Sequence, residues 1–280
     1  MLQHLKDSIF QLYKKTLPEI IRNENTVKKI INRTDNHIIY HNEDSVLAGV
    51  SVINGSVIYL ICVDEAFQKQ GIGSALLKKS EDYIASKGFD KVTVGAGDDY
   101  IMPGIPMNRF AHKFFMKHGY KHAWGECGCF DMSQDLAGFS QNVHSVGDII
   151  NGICYRWATE NDMDGILNCV TEAHEDFVKY YKTTIDPVII AVKDGVVVGT
   201  LMVGIETEGK GIGSVGCTTT MPKHQGRGIA TQMVILGTKH LKDIGLQKAF
   251  LGYTYTDIVS MYARAGYMVC MEYYMGEKML

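Results

Sequence analysis

Two glycine-containing segments of the chain have the residue types of a phosphate-binding turn. They are Gln68–Gly73 and Gln225–Ala230, and both read Gln-x-x-Gly-x-(Gly/Ala). Each follows an apolar run and opens a helical pattern. Glycine lets the backbone approach a ligand closely, and a helix N-terminus offers unpaired N–H groups and a partial positive charge. The pattern therefore predicts two turns that each hold the phosphate groups of a ligand.

The two segments lie 157 residues apart, and other residues repeat at the same distance. Gly88 and Gly245 share this offset, whereas Gly119 and Gly266 are 147 residues apart. The first copy therefore carries about ten extra residues, which we assign to a proline-containing loop at 98–106. The repeat predicts two tandem domains of ordinary size. We expect a first domain at 1–137, a linker at 138–152 and a second domain at 153–280.

The second copy has clear signals for the elements that position its glycine turn. Thr159 followed by Asp162 is typical of a capping box, and Asp194-Gly195 is typical of a tight hairpin. Gly245 is typical of a helix end. We predict strands at 153–157, 187–192, 196–204, 214–220, 249–255 and 267–274, and helices from 160, around 177–181, at 229–244 and at 258–265.

The first copy follows the same order, but its opening segment is helical and has no obvious first strand. We predict strands at 37–40, 46–53, 57–63, 92–95 and 124–132, and helices at 74–86 and 109–117. This order predicts an α/β fold class, of the mixed-sheet α+β kind. Each of the two tandem domains is expected to hold a mixed, mostly antiparallel sheet flanked by helices.

Composition excludes several classes of protein. The 280 residues are 46% apolar and 21% charged, with a net charge of −3, which gives no reason to expect a nucleic acid or an anionic membrane as partner. No apolar run approaches the roughly 20 residues of a membrane span, and Met1–Asp7 is not a secretory signal. Seven cysteines without framework spacing predict reduced thiols and a cytoplasmic protein. Cys127-Gly128-Cys129 has no second ligand pair nearby, so we predict no metal site.

In this context the glycine segments resemble the signature of the GNAT acetyltransferase superfamily, (Gln/Arg)-x-x-Gly-x-(Gly/Ala). The resemblance covers nearly the whole chain as two copies and implies that acetyl-CoA is the cofactor. It implies that the glycine turn holds the pyrophosphate and that a backbone N–H binds the thioester carbonyl where the preceding strand splays. By position, the cofactor-binding residues would be Thr218, Thr219, Thr220, Gln225, Gly226, Arg227, Gly228, Ile229 and Ala230 in the second copy, and Ile61, Cys62, Val63, Gln68, Lys69, Gln70, Gly71, Ile72, Gly73, Ser74 and Asn108 in the first.

A second family motif, Asn-x-x-Ala-x-x-x-Tyr-x-x-x-Gly-(Phe/Tyr), is divided between the copies. Tyr262 matches the family's catalytic tyrosine, but Tyr255 occupies the asparagine position. The first copy keeps Asn108 and has Phe115 in place of the tyrosine. The reaction needs an amine that loses a proton, a donor for the oxyanion and a proton for the departing thiolate. The resemblance implies that Tyr262 gives that last proton, which a phenylalanine cannot do.

The general base is not identified by the sequence. The strands before the two glycine turns contain no acidic residue. Deprotonation relayed by water is an equal alternative. Asp98 and Asp99 of the inserted loop either attract a cationic amine or are simply solvated. The candidate bases in the second copy are Glu172, His174, Glu175, Glu206 and Asp257.

The resemblance leads to an N-acetyltransferase as our principal hypothesis. The second domain would transfer an acetyl group from acetyl-CoA to an amine of a small molecule or peptide, by direct attack in a ternary complex. The protein would be a monomer or a homodimer. Two alternatives stay open: the first domain is the catalytic one, or the chain is a non-catalytic acyl-CoA-binding sensor or scaffold. Under a third, bland interpretation the glycines serve only as turns.

Overall fold

A computed structural model of the chain describes residues 2–95, 100–109, 111–141, 144–184 and 186–280, without the side chains of Leu2 and Glu206. The chain forms two compact units. The first contains Met1–Cys129 together with Met271–Leu280, and the second contains Phe130–Cys270. None of the described helices is long and apolar enough to cross a membrane.

The first unit opens with two helices, in agreement with the helical opening segment that the sequence predicts. A meander of three strands and the helix after the first glycine turn follow. Its elements are α1 (Leu2–Thr16), α2 (Glu24–Ile31), β1 (His37–Glu43), β2 (Val46–Asn54), β3 (Val57–Val63), α3 (Ile72–Ser86), β4 (Lys91–Val94), β5 (Ile105–Pro106), α4 (Ala111–Lys117) and β6 (Lys121–His122).

The second unit begins with three strands and then follows the same order, without a counterpart of β5. The predicted capping box of Thr159 and Asp162 is present, and it opens a short 3₁₀ turn before the first helix. Its elements are β7 (Cys129–Asp135), β8 (Ile149–Ile150), β9 (Ile153–Trp157), α5 (Met163–His174), α6 (Val178–Thr183), β10 (Val188–Lys193), β11 (Val196–Gly209), β12 (Ile212–Thr220), α7 (Ile229–Asp243), β13 (Lys248–Tyr255), α8 (Thr256–Arg264) and β14 (Met268–Tyr274).

The last strand of the chain, β15 (Gly276–Met279), completes the sheet of the first unit. The strand order of that sheet is β1-β2-β3-β4-β15-β6. β15 is antiparallel to β4, with Glu277 opposite Thr93, whereas β3 and β4 are parallel. The strand β14 passes from the second unit to the first at Met271, and its last residues, Tyr273 and Tyr274, pair with β5 within the first unit.

The sheet of the second unit has the order β14-β7-β13-β12-β11-β10-β9-β8. The strands from β8 to β12 form antiparallel pairs, and β12 and β13 are parallel. Met233 and Leu241 of α7 pack with Leu201 and Val215 in one apolar core. In the first unit, Leu77 and Ile84 of α3 pack in the same way with residues of β2 and β3. These sheets flanked by helices confirm the predicted fold class.

The compact units and the predicted repeat boundaries, 1–137 and 153–280, divide the chain differently. Residues 130–137 belong to the second unit and residues 271–280 to the first. The backbone N–H of Leu136 donates to Gln247 O in the second unit, and that of Leu280 donates to Asp90 O in the first. The repeat was defined by similarity along the sequence, whereas the compact units are defined by which strands pair. The terminal strand of the first copy therefore belongs to the second unit, and that of the second copy belongs to the first unit.

One local prediction needs correction, and some strands were not predicted. The strand expected at 124–132 begins at Cys129 instead, because Gly125 has a φ of 59° and the chain turns there, with Cys127 N–H bonded to Trp124 O. The end of the predicted linker, Ile149–Ile150, forms a strand that pairs with β9. The strand β15 was not predicted. Asp98 and Asp99 lie outside the described residues.

Candidate active site

The parallel strands β12 and β13 separate before they end. Their register covers three pairs and finishes at Ser214 opposite Phe250. β12 continues to Thr220 and β13 continues to Tyr255, so an open edge of backbone faces the gap on each side. This is the splay that the resemblance implies. In the first unit, β3 and β4 pair at Val57 and Ile58, and residues 96–99 beyond β4 lie outside the described part.

A bulge interrupts β12 at the level where it leaves β13. Thr219 lies opposite Thr200 and Gly216 lies opposite Met202, so Cys217 and Thr218 together face a single residue of β11. Cys217 has a φ of 47°, in the left-handed region that residues other than glycine seldom adopt. Bulges of this kind re-aim backbone groups and are frequent beside active sites. The bulge therefore offers backbone donors that the β11 ladder does not use.

The glycine turn of the second copy leads directly into a long helix. Gly228 is the N-cap of the 15-residue helix α7, with a φ of 78° and no capping side chain. Gln225 Nε2 donates to Thr220 O over 3.1 Å and so ties the turn to the end of β12. The first N–H groups of a helix have no partner within the helix and attract anions. Gly226, Arg227, Ile229 and Ala230 lie on the same turn, and Arg227 is exposed.

Two buried polar atoms beside this turn have no hydrogen-bond partner in the described part of the chain. They are Thr220 Oγ1 and His224 Nδ1. Burial lowers the pKa of His224, and the charges of Arg227 and Lys223 lower it further. Buried polar atoms are nearly always satisfied, so an unsatisfied hydroxyl at the end of β12 fits a site that a polar ligand completes. Thr219, in contrast, turns its hydroxyl into the core toward Thr200.

Tyr262 extends from α8 to the bulge. Its hydroxyl donates to Thr218 Oγ1 over 3.0 Å, and its side chain is buried. Burial raises the pKa of Tyr262 to about 12, although the hydrogen bond with Thr218 acts in the opposite direction. The phenol therefore keeps its proton throughout the neutral range. The structure thus brings two residues that the sequence singled out, Tyr262 and Thr218, into direct contact.

The glycine turn of the first copy has the same backbone form. Gln68 Nε2 donates to Val63 O over 2.9 Å, which matches the Gln225 contact, and Gly71 is the N-cap of α3 with a φ of 87°. Lys69 has a positive φ of 62°, at the position that Gly226 occupies in the second copy. Ser74 Oγ is 3.1 Å from His118 Nε2. The remaining predicted residues of this copy, Ile61, Cys62, Gln70, Ile72 and Gly73, lie on β3, the turn and the start of α3.

The predicted cofactor residue Asn108 is exposed and contacts an acidic residue. Its Nδ2 donates to Glu19 Oε1 over 3.1 Å. The neighbouring Arg109 bridges Glu19 and Glu65 at 3.0 and 3.3 Å. Phe115, at the tyrosine position, is buried and packs edge-on against Tyr120. This copy therefore has no hydroxyl where the second copy has Tyr262.

The candidate bases are spread over α5, the 3₁₀ turn that follows it, β11 and α8. His174 ends α5 and stacks on Phe177 at 4.0 Å between ring centroids. Glu172, Glu175 and Asp257 are exposed, and the side chain of Glu206 is outside the described residues. The structure does not single out one of these residues as the base.

Sequence reasoning missed two buried residues of the second unit. Tyr181 of α6 is buried and donates from its hydroxyl to Cys217 O over 2.7 Å. Asp131 of β7 is also buried, and its Oδ1 accepts a hydrogen bond from Tyr253 N at 3.1 Å. An acidic residue in the apolar run Cys129–Met132 was a usable signal for Asp131. No local pattern marks Tyr181, because its partners lie on strands distant in the sequence.

Family models match both halves of the chain. The model described as "Acetyltransferase (GNAT) domain" matches residues 4–131, and that described as "Acetyltransferase (GNAT) family" matches residues 155–267. A comparison with curated proteins gave no match.

Solved structures share the fold at low sequence identity. One is the glucosamine N-acetyltransferase region of a fungal multi-domain GH3 β-N-acetylglucosaminidase, with a TM-score of 0.77 and 16% identity over 98% of this chain and 37% of that one. The chain thus spans just over a third of that protein. A GCN5-related N-acetyltransferase from Sphaerobacter thermophilus has a TM-score of 0.74 and 20% sequence identity, over 97% of this chain and 91% of that one. A tandem GNAT protein from the clavulanic acid biosynthesis pathway has a TM-score of 0.71 and 11% sequence identity, over 99% of this chain and 95% of that one.

Proposed function

Because the chain belongs to the GNAT acetyltransferase family, and is thus an N-acetyltransferase with two GNAT domains, we propose that its second domain carries out the transfer. The acetyl group passes from acetyl-CoA to an amine of a small molecule or peptide. The observation that carries this assignment is the contact of Tyr262 with Thr218 at 3.0 Å. It brings a proton-bearing phenol to the bulged strand edge, whereas Phe115 of the first copy has no proton to give.

The second domain offers a continuous set of groups for acetyl-CoA. The turn from Gln225 to Ala230 and the N-terminus of α7 would hold the pyrophosphate through backbone N–H groups. The unsatisfied hydroxyl of Thr220 supports a polar contact with the cofactor at the end of β12. The bulge at Cys217 and Thr218 would lie along the thioester. When bound, acetyl-CoA supplies an activated acyl group with a thiolate as leaving group.

The chemistry assigned to the chain is a direct transfer. The amine nitrogen forms a bond to the acetyl carbon, the carbon–sulfur bond breaks, and the nitrogen loses one proton. A backbone N–H at the bulge stabilises the negative charge that develops on the carbonyl oxygen. Tyr262 gives its proton to the departing sulfur and acts as the general acid. The nitrogen's proton leaves through water or one of the acidic groups on α5 and α8, and a proton from water restores the Tyr262 hydroxyl.

We assign no transfer to the first domain. Glu19 and Glu65 lie around Asn108 and Arg109, and carboxylates there disfavour a cofactor that carries several phosphate charges. Its glycine turn nevertheless keeps the backbone form of the second, so cofactor binding without turnover is the most that we assign to it.

The acceptor is proposed only as a class. A cationic amine such as a polyamine, an aminoglycoside or a peptide N-terminus is compatible with the net charge of −3. Amino sugars join this group, since a relative of the same fold is described as a glucosamine N-acetyltransferase. All seven cysteines are free thiols, which supports work in a reducing compartment such as the cytoplasm. The proposed oligomeric state is a monomer or a homodimer.

Matched glycine variants test the assignment. Gly228→Glu and Gly71→Glu place a carboxylate at equivalent turns of nearly equal φ, so both suffer the same backbone strain. Titration calorimetry with acetyl-CoA, and a thiol-release assay with the amines named above, are applied to both. We expect Gly228→Glu to abolish turnover and the binding that supports it, because its carboxylate repels the phosphates, and Gly71→Glu to retain turnover.

The opposite result, with turnover lost only in Gly71→Glu, would transfer the activity to the first domain. Binding without release of thiol on any amine would favour the acyl-CoA sensor. An unmodified chain that does not bind acetyl-CoA would exclude the proposed reaction altogether.

A further inference from the structure

Tyr181 lies under the bulge of the second unit. Its side chain is 1% exposed, and its hydroxyl donates to the carbonyl oxygen of Cys217 over 2.7 Å. Cys217 is the bulge residue with a positive φ. A backbone carbonyl that leaves the strand ladder needs another donor, and the phenol of Tyr181 supplies it.

The hydroxyl of Tyr181 is itself held in place by an ordered series of hydrogen bonds. Thr200 Oγ1 donates to Tyr181 Oη over 2.8 Å. Thr200 has a single hydroxyl proton, so in its 2.6 Å contact with Thr219 the donor must be Thr219. By the same reasoning, Cys169 is the donor in its 3.8 Å contact with Thr219. Every hydroxyl of this buried series therefore has one fixed direction.

This series also fixes the plane of the peptide between Cys217 and Thr218. In a planar trans peptide, the carbonyl and the N–H point in opposite directions. The Cys217 carbonyl points to Tyr181, which is joined to Thr200 on β11. The Thr218 N–H consequently points to the side that Tyr181 does not occupy, at a level of β12 where β13 has already separated from it. That is the side on which the proposed thioester would lie.

We propose that Tyr181 is a positioning residue for acetyl transfer, because it orients the Thr218 N–H as the donor to the thioester carbonyl. The role rests on the proposed function of the second domain. Tyr181 does not contact the reacting atoms and acts through the peptide that it anchors. Tyr262 meets the side chain of the same Thr218, so the two tyrosines act on one residue from different helices.

The first copy does not have this arrangement. By strand register, Val50 opposite Cys62 corresponds to Thr200 opposite Thr219. Valine has no hydroxyl to extend the series. No residue of β3 is in the left-handed region. The hydroxyl series therefore occurs in the domain to which we assign transfer and is replaced by an apolar pair in the other.

The test uses the full chain and observes the thioester carbonyl of acetyl-CoA directly. It therefore does not require a known acceptor amine. Acetyl-CoA labelled with ¹³C at the carbonyl is bound to the protein, and its stretching band is isolated by isotope-edited infrared spectroscopy. A hydrogen bond to the oxygen lowers the frequency of this band. We expect a shift to lower frequency in the unmodified chain and a clearly smaller shift in Tyr181→Phe, with the dissociation constant for acetyl-CoA changed less than about threefold.

Tyr155→Phe is the matched control, since Tyr155 is buried in the same core but on β9, three strands away from β12. It should leave the band unchanged. Thr200→Val removes the donor to Tyr181 and serves as a second variant if Tyr181→Phe does not fold. It should reduce the band shift in part.

With an accepted amine, kcat of Tyr181→Phe should fall about 10-fold, while KM for acetyl-CoA is retained. This decrease is smaller than the roughly 10²–10³-fold decrease in kcat for loss of a whole oxyanion donor.

The outcomes separate the two proposals. An unmodified chain that does not bind acetyl-CoA overturns the proposed function and this role with it. Binding with the same band shift in the unmodified chain, Tyr181→Phe and Thr200→Val overturns the role of Tyr181 alone. An equal loss of shift in Tyr155→Phe would also overturn it, because the effect would then come from general loosening of the core.

Discussion

The hydroxyl of Tyr262 donates to Thr218 Oγ1 over 3.0 Å and so links helix α8 to the bulge of strand β12. This contact gives the phenol a fixed position at the splayed edge of the sheet. The first copy has no such contact, since the corresponding Phe115 has no hydroxyl and is packed against aromatic rings. Activity should therefore depend on one hydroxyl group.

Removal of that hydroxyl in Tyr262→Phe should lower kcat by roughly 10²–10⁴, the usual contribution of a general acid. The affinity for acetyl-CoA should change little, because the ring and its packing remain. Steady-state kinetics with an accepted amine, together with calorimetry, measure both quantities. Tyr155→Phe is the control for the loss of a buried hydroxyl. An unchanged kcat in Tyr262→Phe would show that another group protonates the thiolate.

The two motif glutamines make a matched pair for a test of cofactor binding. Gln225 and Gln68 each donate to the last carbonyl of the strand before the turn, at 3.1 and 2.9 Å. Loss of such a bond costs about 1 kcal/mol, which corresponds to about a fivefold change in an equilibrium constant. Gln225→Ala should weaken the acetyl-CoA binding that supports turnover by about this factor, and Gln68→Ala should leave KM unaltered. Equal effects on KM would mean that the first turn also takes part in the reaction.

Much of this arrangement could be predicted from local patterns. The offset of 157 residues, the hairpin at Asp194-Gly195 and the capping box at Thr159 correctly indicated most strands and helices. The exchange of terminal strands could not be predicted in this way, since the pairing of β15 with β4 joins Glu277 to Thr93 across most of the chain. Tyr181 was missed for the same reason, because its contacts with Cys217 and Thr200 follow from the fold and not from spacing.

Buried tyrosines should make the protein sensitive to alkaline pH. Burial raises the pKa values of Tyr155 and Tyr262 to about 12, above the value of about 10 in an unfolded chain. Below pH 10 both states keep the proton, so the stabilisation is complete there. Between pH 10 and 12 the unfolded chain loses the proton first, and the free energy of unfolding falls as pH rises. The loss reaches about 2–3 kcal/mol for each tyrosine.

Urea unfolding at pH 8, 10 and 11 measures this dependence. The double variant Tyr155→Phe and Tyr262→Phe should show a smaller decrease above pH 10 than the unmodified chain. A decrease of the same size in both proteins would assign the alkaline sensitivity to other groups.

The carboxylate of Asp131 supports an unusual backbone position on β13. Its Oδ1 accepts from the N–H of Tyr253, whose φ of 60° lies in the left-handed region. Asp131→Ala removes this acceptor in a buried place and should lower the free energy of unfolding by about 1–3 kcal/mol. Asp131→Asn retains a side-chain oxygen at the same position and should cost clearly less. Denaturant unfolding of both variants at pH 7 compares them.

The comparison of the two substitutions separates acceptor geometry from charge. If the oxygen matters, Asn protects the Tyr253 conformation and only Ala is strongly destabilising. If both variants lose the same stability, the negative charge of Asp131 is what β13 requires, and the hydrogen bond is incidental. Because Tyr253 lies on β13 beyond the last parallel pair with β12, a loss of stability that is confined to Ala should also widen the splay and weaken acetyl-CoA binding. Calorimetry on the same two variants would detect that loss.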